Sequence, residues 1–135
     1  NGLDPETETI AKLLKRYGYT NAIFGKWHLG HRYEYPPLQN GFDEYSGLIC
    51  SNDMWPVDYD GKPLNQDKRS YYPPMSFWEG NDPKDKIETL EDQAQITRRI
   101  TELSVDLIGR NKDNPFFYMF PIQCLISLLQ HQINF

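Results

Sequence analysis

The chain has 135 residues, 39% hydrophobic and 24% charged, which is the profile of one compact globular unit rather than a fibrous or disordered segment. A formal net charge of −5 with no basic block argues against nucleic acid as a partner, because phosphate binding needs a basic surface. No apolar run approaches the roughly 20 residues that span a bilayer, no signal peptide is visible, and the two cysteines, Cys50 and Cys124, lack metal or redox spacing.

In chain order, Asp4-Pro5-Glu6-Thr7 predicts a helix start: a cap, a proline at the first helical position and acids in the first turn. Ile10, Leu13, Leu14 and Tyr17 recur at helical spacing, and Gly18 stops the helix. Tyr19 to Trp27 predicts a short strand whose apolar run Ala22-Ile23-Phe24 is buried. A second strand is expected between Gly41 and Cys50. The polar, proline-interrupted stretch from Met54 to Asp85, rich in aromatic rings, reads as a long surface loop; its functional alternative is part of a carbohydrate or aromatic cleft. Glu91 to Arg110 is the clearest helix, with Ile96, Ile100, Leu103, Leu107 and Ile108 on one broad face. Asn111 to Pro115 ends it, and Phe116 to Phe120 predicts the next buried strand. This order implies an α/β fold with a mostly parallel sheet flanked by helices.

Where the first strand runs out stands Gly25-Lys26-Trp27-His28-Leu29-Gly30. If the backbone stays extended, Lys26 and His28 point to one side and Trp27 to the other. Ligands of open α/β sheets bind beyond the carboxyl ends of the strands. A lysine offers a point charge to an anionic group, and a histidine moves a proton near neutral pH. The pair therefore suits an anionic ester, although such spacing alone is more often that of two polar residues on an exposed strand end.

Gly18-Tyr19-Thr20 followed by Ile23-Phe24-Gly25-Lys26-Trp27-His28-Leu29-Gly30 resembles the second signature of the sulfatases, members of the alkaline phosphatase superfamily. Glu6-Thr7-Glu8-Thr9-Ile10-Ala11, Asn40-Gly41-Phe42-Asp43 with Ser51-Asn52-Asp53-Met54, and Asn111-Lys112-Asp113-Asn114-Pro115-Phe116-Phe117 are similar to further family blocks in the family's order. The resemblance implies a partial sulfatase-type catalytic domain over residues 1–121. It implies hydrolysis of a sulfate ester on a carbohydrate or aryl alcohol, with a formylglycine nucleophile and a calcium ion in the parent enzymes, which are usually periplasmic, secreted or lysosomal. Lys26 would bind sulfate oxygens, and His28 would hydrogen-bond the formylglycine and take its proton. Ser51 and Asn52 match positions that contact substrate in some relatives, beside the plainer reading of a Ser-Asn-Asp turn.

The departures are as informative. Cys50 is followed by Ser51-Asn52-Asp53 and Cys124 by Leu125-Ile126-Ser127, so neither lies in the family's Cys-x-Pro-x-Arg context. No ligand cluster for calcium stands in family context either, and the family's first motif lies upstream of Asn1. A sulfate-binding wall without its nucleophile is expected, inactive in isolation. The rival readings are a non-catalytic remnant or anion-binding module, and a related phosphatase or phosphodiesterase. Residues 122–135 depart from the family altogether. With third bases chosen to fit, the codons of Pro121 through Phe135 read one frame over give His-Pro-Met-Pro-His-Ile-Pro, which contains the family's Pro-His-x-Pro. The tail is thus expected to be a frameshifted reading, against an amphipathic C-terminal helix.

Overall fold

A computed structural model describes residues 2–32, 34–55 and 72–121 of the chain. The tail reading at 122–135 and residues 56–71 of the proposed loop or cleft lie outside the described residues. Helix α1 (Ile10–Lys15) leads into β1 (Thr20–Lys26), and a single 3-10 turn at Pro37–Asn40 precedes β2 (Glu44–Leu48). Strands β3 (Met75–Glu79) and β4 (Asp82–Ile87), helix α2 (Leu90–Asn111) and β5 (Phe116–Met119) complete the order. The strands form one sheet in the order β4-β3-β2-β1-β5.

The parallel part is where the sequence predicts it. β1 pairs in parallel with β2, Gly25 opposite Gly47, and with β5, Ala22 opposite Tyr118. Part of the stretch read as a loop instead forms a hairpin, β3–β4, added antiparallel to β2. Met75 and Phe77 alternate into the core beneath α2 while Trp78 packs against the cluster on the opposite face, and Gly80-Asn81 make the two-residue turn.

The first helix begins later than predicted. Asp4 closes a separate turn, its carboxylate accepting the Glu6 amide (2.9 Å) and its carbonyl the Thr7 amide (2.9 Å). Thr9 is the cap, its hydroxyl oxygen accepting the Lys12 amide (3.0 Å). Of α1 only Ala11 is buried; Ile10, Leu13 and the following Tyr17 stay exposed. Helix α2 carries a full capping box: Thr89 Oγ1 accepts the Asp92 amide (3.1 Å), and the Asp92 carboxylate accepts the Thr89 (2.9 Å) and Glu88 (3.0 Å) amides. These bonds hold the Asp92 carboxyl below its ordinary value.

The sheet is covered on both faces. Ala22, Phe24, Leu48 and Phe77 meet Ile96, Ile100 and Leu107 of α2, whereas Ile23, Tyr45, Trp27 and Phe42 pack with Ala11 of α1. Consecutive apolar residues in β1 follow from this, since a central strand must be apolar on both sides. Ile108 lies off the packed stripe of α2 and is exposed. β5 is only half-buried rather than buried as expected, because among the described residues it has a neighbour on one side alone. No helix among the described residues is long and apolar enough to cross a membrane.

Candidate active site at the carboxyl end of the parallel strands

Lys26 is the last residue of β1 and half-buried; it continues the Ala22–Phe24 alternation, while Trp27 continues that of Ile23 and is buried against Phe42. Ladder bonding runs past the strand's end, with the Trp27 amide donating to the Leu48 carbonyl (3.0 Å) and the His28 amide to that of Ile49 (2.9 Å). His28 then turns left-handed (φ 62°), the one non-glycine residue with positive φ among the described residues. The expectation that alternation aims Lys26 and His28 to one side required an extended backbone, and that alternation stops at Trp27. What brings the two residues together is the shared strand end.

β2 delivers Cys50, Ser51 and Asn52 to the same end of the sheet, because its ladder with β1 reaches Ile49 opposite His28. Ser51 and Asn52 form the predicted turn, the Met54 amide donating to the Ser51 carbonyl (3.0 Å). Gln93 of α2 fastens it, its Nε2 donating to the Asn52 carbonyl (3.1 Å), and the Trp55 indole donates to the Ile87 carbonyl (3.0 Å). Cys50 belongs to this neighbourhood although its sequence context gave it no role. Burial pushes its thiol up from the ordinary value, and the positive charge of Lys26 pulls it back. Burial, with a smaller contribution from Cys50, also pushes the Tyr45 phenol up.

The Asn40-Gly41-Phe42-Asp43 block builds the platform instead of the chemistry. Asn40 Nδ2 donates to the carbonyls of Tyr35 and Pro36 (3.0 Å each), and the Trp27 indole donates to the same Tyr35 carbonyl (2.9 Å). Asp43 accepts from Lys15 (2.6 Å) and from the Asn21 amide (2.9 Å). Burial raises its pKa, but these bonds outweigh that and hold the carboxyl below its ordinary value. Two glycines let the strands close: a Cβ on Gly47 would collide with the Gly25 carbonyl, and a Cβ on Gly25 with that of Pro121. The Asp43 bonds and the glycine contacts join residues far apart in the chain, and no local pattern announces them.

The geometry thus offers a half-buried lysine, an exposed histidine and a Ser-Asn turn at the carboxyl end of two adjacent parallel strands, where open α/β sheets bind ligands. A family profile for sulfatases matches residues 1–123. Mouse N-acetylgalactosamine-6-sulfatase is 33% identical over 123 residues, 90% of this chain and 23% of that protein. Mouse arylsulfatase G is 47% identical over 60 residues, 44% of this chain and 11% of that protein. Among solved structures, PsFucS1 sulfatase from Pseudoalteromonas sp. matches with a TM-score of 0.71 at 24% identity, covering 85% of this chain and 26% of that one. Ps i-CgsB matches with 0.61 at 25% identity, covering 92% and 28%. The chain therefore spans about a quarter or less of the length of these relatives.

Proposed function

Since the chain belongs to the sulfatase family, we propose that it carries the sulfate-binding wall of a sulfuric ester hydrolase acting on a sulfated carbohydrate or aryl sulfate. Lys26 binds the anionic oxygens of the ester and offsets the charge that develops on them during transfer. His28 holds and moves a proton at the reacting oxygen. Ser51 and Asn52 contact the substrate beside Lys26. The observation that supports this reading is the meeting of Lys26, His28, Ser51 and Asn52 at one end of adjacent parallel strands, within the matched segment.

In the family, formylglycine supplies the nucleophile and calcium the neighbouring positive charge. Among the described residues no three His, Cys, Asp or Glu side chains gather into a metal-binding group, and Cys50 stands before Ser-Asn-Asp. The described residues of this chain fit neither group, which favours anion binding without turnover as the second reading for the polypeptide by itself.

Titrating sulfate into the full 135-residue chain, followed by amide NMR shifts, tests the proposal. Saturable shifts are expected at Lys26, His28, Ser51 and Asn52, weakened roughly 10- to 100-fold by Lys26→Ala, the equivalent of one lost charge-assisted hydrogen bond. No shift at high sulfate, or shifts indifferent to Lys26→Ala, would refute it, and clear preference for phosphate would point to a phosphatase relative. The same chain should release no aryl alcohol from an aryl sulfate; release that disappears in Lys26→Ala would overturn the division between binding wall and nucleophile.

A further inference from the structure

The turn that carries Ser51 and Asn52 is held from outside itself. Within it, the Met54 amide donates to the Ser51 carbonyl (3.0 Å), closing a β-turn with Asn52 and Asp53 at its centre. That bond holds the peptide between Ser51 and Asn52. It does not hold the central peptide, between Asn52 and Asp53, and rotation of that unit is what separates a type I from a type II turn. Type II needs a positive φ at the position Asp53 occupies, and among the described non-glycine residues only His28 has one. The central peptide therefore stands in one of its two orientations.

The carbonyl of that central peptide belongs to Asn52, and it is the one that Gln93 Nε2 reaches from 41 residues away (3.1 Å). A second tie follows it, because the indole of the buried Trp55 donates to the Ile87 carbonyl (3.0 Å). Both anchors lie at the junction of β4 and α2, where the capping box of Thr89 and Asp92 sets the start of the helix. The Gln93 amide itself donates to the Thr89 carbonyl (3.2 Å), so its side chain leaves a backbone that is already fixed. A carboxamide donates there without adding a charge.

We propose that Gln93 is a positioning residue of the anion site, acting through Asn52. By holding the Asn52 carbonyl toward α2 it fixes the central peptide of the turn. The Asn52 Cα then lies between two peptides that are both held, one by Met54 and one by Gln93, which sets the direction in which the Asn52 side chain leaves the backbone. This role rests on the reading that Ser51 and Asn52 contact a sulfate ester beside Lys26. It adds that their share of the binding depends on α2, whereas that of Lys26 and His28 depends on β1.

Amide NMR on the full chain tests the link in two stages. Before any ligand is added, Gln93→Met, which keeps the side chain's length and removes its donor, should shift the Asp53 amide nitrogen, whose peptide carries the Asn52 carbonyl. Gln95→Met, at an exposed position of the same helix, should leave that signal in place. An unmoved Asp53 signal in Gln93→Met would overturn the proposal whatever the site binds. With inorganic sulfate as the probe, Gln93→Met should raise the Kd about 2- to 10-fold, the worth of one neutral hydrogen bond. It should also cut the saturating shifts at Ser51 and Asn52 while those at Lys26 and His28 persist. A parent-like Kd with parent-like shifts would overturn the positioning role and leave the site reading standing. Equal loss at all four residues with a lowered melting temperature would overturn it too, by making Gln93 a residue of the fold only. No saturable shift in the parent chain would overturn the site reading, and this role with it.

Discussion

Asn21 offers a direct test of what holds the site's strand in place. Its side chain is fully buried, and Nδ2 donates to the carbonyls of Ala11 (2.8 Å) and Gly41 (3.0 Å). Its main chain exchanges bonds with Asp43, amide to carboxylate at 2.9 Å and carbonyl to amide at 2.7 Å. One side chain thus ties α1, β1 and the approach to β2 together. Asn21→Ala strands two buried acceptors, each costing about 1–3 kcal/mol. Against this, Oδ1 is buried without a partner among the described residues, and its removal returns roughly 1–3 kcal/mol. The net loss is on the order of 2 kcal/mol. Asn21→Asp keeps the shape but turns a carboxylate oxygen toward the same two carbonyls, so its loss should be larger, about 3–5 kcal/mol. Urea unfolding followed by tryptophan fluorescence reads both. With a slope of about 1–3 kcal/mol per molar, the alanine midpoint should fall by roughly 1 M and the aspartate midpoint further. An aspartate variant as stable as the parent, or more stable than the alanine variant, would refute the reasoning.

Three further outcomes follow from the same geometry. Gly47→Ala should cost about 3 kcal/mol or more, because its Cβ meets the Gly25 carbonyl across the β1–β2 ladder and both strands must part; parent-like thermal stability would contradict this. Tyr45→Phe should be neutral or stabilising by up to about 1 kcal/mol, since the hydroxyl is buried without a hydrogen-bond partner among the described residues, and a clearly lowered melting temperature would show a partner at work. The depressed Asp43 carboxyl makes stability depend on acid: its contribution is complete above the ordinary value of 3.8 and is lost as pH falls through the lower folded-state value. Asp43→Asn should therefore flatten the acid limb of a stability–pH curve, and an unchanged limb would remove Asp43 as its source.

What the sequence disclosed and what it withheld divide along range of contact. β1 is legible because Ala22-Ile23-Phe24 serves both faces of a central strand, and α2 because its apolar residues repeat at helical spacing. The start of α1 is not, because Asp4 and Thr9 are both competent caps. One candidate for what favours Thr9 is the bond from its hydroxyl to the Asn40 carbonyl (2.7 Å), 31 residues away. β4 lacks any apolar alternation and is a strand only through its pairing with β3. Of the proposed site, Lys26, His28, Ser51 and Asn52 are reached by motif alone. The bond from Gln93 to Asn52 crosses 41 residues, and the link between Cys50 and Lys26 exists only once β1 and β2 lie side by side.

The left-handed backbone at His28 sets folding and chemistry against each other at one position. An L-residue held there forgoes about 1–2 kcal/mol that glycine would keep. Rounds of selection for heat tolerance, protease resistance or expression yield would therefore enrich glycine at position 28 and discard the imidazole, and only a screen that reads ligand or product would retain it. Anyone stabilising this scaffold should hold position 28 fixed from the outset, because the substitution that most improves the fold there would remove the imidazole to which the proposed function gives the proton transfer.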